Sequence, residues 1–196
     1  QSTCPPVGRT HRSREIARYI ALLLFLFPIV AGIAFAQQSH PTDSQVKAAY
    51  LYNFGKFVTW PGANAGNGAS FEICVLGRDP FGVILDSTVA GGNIEDKQVT
   101  AKKISSLQES DHCRIVFISS SEQTRLKPIL AAAKAGGTLT VSDIPHFADK
   151  GGMIEFVPQE NKIRFEVNLP ATEEAGLILS SELLKVATRV IGKTGK

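Results

Sequence analysis

The sequence has few of the residues that mark common catalytic and metal-binding sites. It contains three cysteines, one methionine, one tryptophan and four histidines among 196 residues. No C-x-x-C or H-x-x-x-H spacing occurs, which argues against a zinc site or a catalytic dithiol. Phosphate-binding glycine motifs and the G-x-S-x-G of serine hydrolases are also missing. We therefore expect no catalytic residue, no metal and no cofactor.

A hydrophobic segment without charge lies near the start of the chain. Tyr19–Ala36 follows four arginines and ends with the small residues Ala34 and Ala36. This pattern is typical of a secretory signal peptide, so we predict cleavage after Ala36 and export of residues 37–196 to the periplasm. The alternative is an uncleaved membrane anchor, because 18 residues is near the lower limit for spanning a bilayer.

The charge distribution argues against a nucleic-acid partner. Four of the 21 basic residues and one of the 18 acidic residues fall within residues 1–36, so the predicted mature chain has equal numbers of each. A protein that binds nucleic acid needs an excess of basic residues on one surface. We exclude this class of partner, and we expect no direct membrane insertion once the signal peptide is removed.

The remaining sequence predicts one α/β domain. Thr42–Gln45 has the form of a helix capping box, and Asp79 is a candidate N-cap for a second helix from Phe81. Strands alternate with helices as far as Val141, which predicts a mainly parallel sheet with flanking helices. The later segments are an exposed loop at Gly62–Gly68, an antiparallel hairpin at the sheet edge formed by Met153–Val157 and Lys162–Val167, and a C-terminal helix from Thr172 to Val190 interrupted near Gly176–Ser180.

Several stretches together carry a resemblance to a known family. They are Val46–Pro61, Ile73–Gly82, Leu139–Asp143, Phe147 and Gly151–Ile154. In this order they resemble the YfiR family of small exported α/β proteins over about residues 43–191. The resemblance implies a periplasmic protein, commonly a homodimer, whose best-understood member represses the membrane diguanylate cyclase YfiN by contacting its periplasmic domain.

Two cysteines remain after the predicted signal peptide, Cys74 and Cys113. An even number in an exported chain indicates one disulfide, although two buried free thiols are the alternative. The family resemblance implies that these two positions are paired. A second cysteine pair of the best-known member has no counterpart in residues 143–152, so redox behaviour tied to that pair does not transfer.

Polar residues are expected at the carboxyl ends of the parallel strands, which is the usual ligand crevice of an open α/β sheet. Two groups of candidate partner or ligand contacts fall there. They are the strand-end residues Arg78, Asp79, Ser119 and Asp143, and the loop residues His146, Phe147, Gly151 and Gly152. The alternatives are structural: helix caps for Asp79 and for Ser119–Ser121, and a turn leading into the hairpin for the loop.

The first predicted helix is rich in aromatic residues. Tyr50, Phe54 and Phe57 are expected to face the core, whereas Tyr52 and Trp60 project elsewhere. Aromatic side chains with a polar group are favoured at interfaces, so Tyr52 and Trp60 are candidate contacts in a dimer or with a partner. Burial under the C-terminal helix is the alternative.

The leading functional hypothesis is a non-catalytic periplasmic regulator that represses or modulates a membrane signalling protein through contact. The alternative is a small-ligand binding or sensing module that uses the crevice at the strand ends. An exported hydrolase has only Ser119–Ser121 and Asp143 in its favour.

Overall fold

The computed structural model describes residues 40–61, 69–107 and 112–192. The predicted signal peptide, residues 1–36, and the predicted loop Gly62–Gly68 lie outside these residues. Among the helices that are described, none combines the length and hydrophobicity that a membrane crossing requires. The described residues from Pro41 onward belong to one compact unit.

The described part of the chain contains an eight-stranded sheet with the order β10-β8-β7-β6-β5-β2-β4-β3 and a separate two-stranded ribbon formed by β1 and β9. The strands are β1 (Val58–Thr59), β2 (Ser70–Leu76), β3 (Asn93–Ile94), β4 (Lys97–Ile104), β5 (Cys113–Ile118), β6 (Leu139–Ser142), β7 (Ile154–Gln159), β8 (Lys162–Asn168), β9 (Ile178–Leu179) and β10 (Arg189–Ile191). Strands β4, β2, β5, β6 and β7 pair in parallel, whereas β3–β4 and β7–β8 pair antiparallel. The predicted mixed, mainly parallel α/β sheet is confirmed.

The helices flank this sheet. They are α1 (Asp43–Phe57), α2 (Val83–Val89), a 3₁₀ helix (Ser120–Arg125), α3 (Leu126–Ala135), α4 (Leu169–Glu174) and α5 (Ser181–Val186). The capping box predicted for α1 is confirmed, because the Gln45 N–H donates to Thr42 Oγ1 while the Gln45 side chain accepts from the Thr42 N–H. Gly137, with φ +61°, follows the end of α3, where such a conformation is cheap for glycine.

Two hydrophobic clusters lie on opposite faces of the sheet, because successive strand residues point to opposite sides. The larger cluster includes Phe54 of α1, whose ring packs edge-to-face on Phe165 and stacks on Phe156. The smaller cluster, which we call the cluster under α3, includes Cys74 of β2 and Ile129 of α3. Both faces of the central strands are therefore covered, as the nearly continuous apolar runs of β2 and β5 require.

The C-terminal region differs from the predicted interrupted helix. Only two short helices form there, and β10 adds to β8 in parallel. The hairpin β7–β8 is therefore not at the edge of the sheet as predicted. The Thr188 N–H donates to the Phe165 carbonyl and so starts this pairing. Periodicity alone did not reveal it, because a three-residue strand is too short to show alternation.

Candidate functional site

The carboxyl ends of β2, β5 and β6 lie side by side at one end of the sheet, here called the carboxyl edge. The polar groups at this end form hydrogen bonds with one another. The Arg78 N–H donates to Ser121 Oγ at 2.9 Å, and Ser119 Oγ accepts from the Ser121 N–H as the cap of the 3₁₀ helix. These serines hold loops together, as the structural alternative predicted. The Arg78 side chain is exposed.

Asp79 does not cap a helix. Its Oδ1 accepts from the Phe81 N–H at 2.7 Å, and α2 begins only after Gly82. The aspartate instead closes a local turn, because its short side chain reaches the amide two residues ahead. Burial acts to raise the pKa of Asp79, but the Lys103 ammonium at 2.8 Å and the Phe81 N–H hold this pKa below its ordinary value.

Asp143 is covered by the first helix. The Lys47 ammonium of α1 lies 2.7 Å from Asp143 Oδ2, and Ser44 Oγ donates to the Pro80 carbonyl. The first turns of α1 thus bridge the strand ends. One cavity at this edge, lined by Asp79 and Lys103 among others, has a volume of about 20 Å³, and another near Leu76 has about 160 Å³. Both are below the roughly 300 Å³ of typical ligand pockets.

The loop of residues 143–152 is fixed from inside. The buried Glu155 carboxylate accepts hydrogen bonds from the His146 N–H at 2.8 Å and from the Ala148 N–H at 3.0 Å. Phe147 is fully buried in the cluster under α3, so its side chain is not exposed as a partner contact requires. Gly152 is buried against the Phe147 ring and leaves no room for a Cβ atom. Gly151, at φ +95°, is exposed.

The outer side of the same loop carries charge. The Arg189 guanidinium donates to both Asp149 oxygens, at 2.9 and 3.1 Å, and its Nε donates to Glu166 at 2.7 Å. The hydrogen bonds from Arg189 lower the pKa of Asp149, and those to Asp149 and Glu166 raise the pKa of Arg189. His146 is exposed, with Nδ1 3.6 Å from Asp149. Sequence reasoning missed Lys47, Glu155 and Arg189, because their partners lie on other elements.

Trp60 lies elsewhere than expected. It is buried, packs edge-to-face on Phe71, and belongs to the larger core cluster, so the prediction that it projects away from the core is wrong. Thr59 pairs with Ile178 in the short ribbon, which draws the next residue inward. Tyr52 is partly buried against the same core, with the Lys56 ammonium 4.2 Å from its ring centre. Phe57, expected in the core, is 40% exposed.

A larger cavity borders Trp60 at the opposite end of the sheet, next to Gly137, which lies two residues before β6. This Trp60 cavity has a volume of about 460 Å³. Lys134 and Glu174 also line it and form an ion pair of 2.6 Å. The buried Trp60 Nε1 has no hydrogen-bond partner among the described residues.

Cys74 and Cys113 form a disulfide between the neighbouring strands β2 and β5, with Cα atoms 5.8 Å apart. Both residues are buried in the cluster under α3. The predicted pairing is confirmed, and its position inside the sheet indicates a structural bond.

This architecture is similar to that of known proteins. Two solved structures share the fold: the ABC domain of Streptococcus pneumonia in complex with L-Trp (TM-score 0.51, 11% identity, 74% of this chain and 60% of that one) and a conserved domain protein of Vibrio cholerae O1 biovar El Tor (TM-score 0.52, 10% identity, 78% and 61%). This chain therefore spans about three fifths of the length of each. No curated protein matches the sequence.

The sequence also matches a family model over residues 44–188, which is well over half of the chain. This range includes all of α1 except its first residue, together with the disulfide, the carboxyl edge and the loop that Glu155 fixes. The family, DUF4154, is described as YfiR/HmsC-like, in agreement with the resemblance carried by the sequence motifs. The chain belongs to the YfiR/HmsC-like family.

Proposed function

We propose that this protein is a non-catalytic periplasmic regulator that represses or modulates a membrane signalling protein, such as a diguanylate cyclase, by direct contact. The family match over residues 44–188 carries this proposal, because the family is regulatory and periplasmic. The side-chain chemistry of the carboxyl edge supports it. Ser119 and Ser121 are among the residues that favoured a hydrolase, and their hydroxyl oxygens accept local hydrogen bonds from backbone N–H groups.

A regulator of this kind needs an accessible contact surface, and the ribbon of β1 and β9 offers one. Phe57 and Ile178 are 40% and 59% exposed. They lie diagonally across the ribbon, because Ile178 pairs with Thr59 while the Ser180 N–H donates to the Phe57 carbonyl. We call Phe57 and Ile178 the ribbon patch. Exposed apolar side chains of this size are common anchors of protein interfaces.

Two protein contacts are proposed for the exposed surface: the periplasmic domain of the signalling protein and a second copy of this chain. We assign the ribbon patch to the signalling protein, and use of the same patch for self-association is an outcome of the test below. The exposed side of the loop, with His146 and Gly151, and the exposed Arg78 remain further candidate contacts. Trp60 and Phe147 are withdrawn from this set because they are buried.

The proposal is tested in the native bacterium. Deleting the gene should raise cellular cyclic di-GMP, and the exported wild-type protein should restore the original level. The double variant Phe57→Ser and Ile178→Ser should fail to restore it while melting close to the wild type, because both side chains already contact water.

The matched control is Val83→Ser on α2, an apolar side chain that is 77% exposed on another part of the molecule. It should restore cyclic di-GMP as the wild type does. An unchanged cyclic di-GMP level after deletion would contradict a role in cyclase signalling. Full restoration by the double variant would instead contradict only the assignment of the ribbon patch to the signalling protein. Sedimentation of the same variants shows whether the patch serves self-association.

A second function, small-ligand binding, is favoured by one observation. The Trp60 cavity, at about 460 Å³, falls within the volume range of small-molecule sites, and the charged groups of Lys134 and Glu174 line it. This site lies at the other end of the sheet from the crevice expected from the sequence. Trp60 is the single tryptophan of the sequence, so its fluorescence reports on this cavity alone.

Titration of the protein with small carboxylates, amines and nucleotides, followed by tryptophan fluorescence, tests the second function. A ligand that changes the emission should also raise the melting temperature, because it binds only the folded state. Lys134→Gln should weaken this binding, whereas Lys127→Gln, an exposed lysine on the same helix, should leave it unchanged. A fluorescence change that both variants preserve would place the ligand outside the Trp60 cavity.

A further inference from the structure

Three metal-ligating side chains meet on one face of the sheet around the disulfide. Glu72 lies opposite Cys113 in the pairing of β2 with β5. Cys74 is two residues after Glu72 on the same strand, so both side chains point to the same face. The carboxylate oxygen and the two sulfur atoms all lie within 4.8 Å of one another.

One oxygen of the Glu72 carboxylate is buried without a hydrogen bond in the part of the chain that the structure describes. Its side chain is 18% exposed, and Oε2 has no hydrogen-bond partner among the described residues. The Lys102 ammonium lies 3.8 Å from this oxygen, which is too long for a hydrogen bond. A partly buried carboxylate oxygen with free lone pairs is therefore held beside two sulfur atoms.

We propose that reduction of the Cys74–Cys113 bond converts this cluster into a binding site for a soft divalent cation of the zinc class, with Cys74, Cys113 and Glu72 as ligands. Two thiolates and one carboxylate are a donor set that such ions accept, and water completes a tetrahedral site. Zn–S bonds of about 2.3 Å place two thiolates roughly 3.8 Å apart, a separation that side-chain rotation on adjacent strands reaches once the S–S bond is broken.

The reaction balances with a dithiol as the reductant. The dithiol transfers two electrons and two protons to the protein S–S bond and becomes a disulfide itself, leaving two protein thiols. The cation then replaces the proton of each thiol, so that two protons are released and two metal–sulfur bonds form. The Glu72 carboxylate contributes an oxygen lone pair to the cation.

Lys102 sets the balance of charge around the site. It lies opposite Cys74 in the pairing of β2 with β4, and its ammonium is 3.8 Å from Glu72 Oε2. A nearby positive charge favours thiolate over thiol but competes with a bound cation. Because the Lys102 side chain is 46% exposed, water weakens the repulsion between its ammonium and a bound cation.

The test uses Cd²⁺ with the protein reduced by a dithiol and then freed of reductant without air. The reduced protein should bind one Cd²⁺ per chain with the ultraviolet charge-transfer absorption of Cd–thiolate bonds, and the oxidised protein should show none. Mg²⁺ in excess should not displace it, because thiolates are soft ligands. Glu72→Gln should weaken binding by at least ~10-fold, a loss seen even for groups that only contact a metal's ligands. Glu160→Gln, an exposed acid in the β7–β8 turn, is the control and should bind as the wild type does.

Equal Cd²⁺ affinity in the Glu72→Gln and Glu160→Gln variants would overturn the three-ligand site, and equal absorption in oxidised and reduced protein would overturn its dependence on reduction. If reduction unfolds the chain, refolding with Cd²⁺ supplies the second measurement. Cd²⁺ should then restore the native circular dichroism and raise the melting temperature in the wild type more than in Glu72→Gln. Failure to do so would equally overturn the proposal.

Discussion

The carboxyl edge of the sheet and the Trp60 cavity at its other end are built in opposite ways. At the carboxyl edge, Lys47 binds Asp143 and Lys103 binds Asp79. At the other end, the Trp60 cavity has a volume of about 460 Å³, and Phe57 and Ile178 of the ribbon patch are exposed. The edge that is rich in polar sequence motifs is thus largely used to hold the fold together. The end with the Trp60 cavity retains the empty volume and the exposed apolar surface that binding requires.

The largest effect that tests this contrast is expected from the two buried aromatic residues. Phe147→Ala should lower the free energy of unfolding by about 3–5 kcal/mol, because it leaves a hole in an enclosed cluster. Trp60→Ala should cost less than Phe147→Ala, since the Trp60 side chain already borders a cavity and one of its polar atoms is unsatisfied. Urea unfolding of both variants measures the difference.

Val83→Ala, which truncates an exposed side chain, is the control and should be near neutral. A Phe147→Ala protein that melts like the wild type but no longer associates with its partner would reverse the assignment of this residue to the core.

A smaller effect is expected from Glu155, which fixes the loop of residues 143–152. Glu155→Gln should cost about 2 kcal/mol, because an amide replaces one acceptor oxygen with a donor and leaves a buried N–H unpaired. Hydrogen exchange at the His146 and Ala148 amides should accelerate in the same variant. Glu160→Gln is the charge-matched control, and equal exchange in both variants would show that Glu155 does not hold the loop.

The contact between α1 and the strand ends should contribute less still. A double-mutant cycle of Lys47→Met and Asp143→Asn is expected to give a coupling energy of about 1 kcal/mol or less, because both side chains keep some contact with water. The coupling should shrink at high salt. Ligand binding that appears in the double variant but not in the wild type would show that α1 blocks a working crevice.

The smallest expected effect is the pH dependence that Asp79 and Asp149 contribute. Both carboxyl groups have a folded-state pKa below the ordinary value. Their stabilisation is therefore fully present above the unfolded pKa of about 3.9 and is lost as pH falls through the lower, folded-state values. Unfolding midpoints measured down to about pH 3 should fall less steeply for Asp79→Asn than for the wild type. Equal slopes would show that Lys103 does not stabilise the aspartate.

Several features could be predicted from local sequence because their causes are local. The capping box of α1 joins residues three positions apart, and the strands β2, β4 and β5 follow from their apolar and β-branched residues. The disulfide pairing was implied by the family resemblance, and the structure confirms it. The start of α2 was predicted two residues too early, because Asp79 closes a turn before the helix begins.

The sequence by itself thus determined the α/β class, the family and the longer strands of the sheet, since these depend on periodicity and on motifs of a few residues. Only the tertiary structure decided which aromatic residues are buried. It places Trp60 and Phe147 in the core and leaves Phe57 partly exposed at the surface. It also joined Glu72 to the disulfide and Glu155 to its loop, and it paired β10 with β8. The reason is physical: burial, pairing and the strength of a charge depend on neighbours distant along the chain, and a pattern within one segment does not encode them.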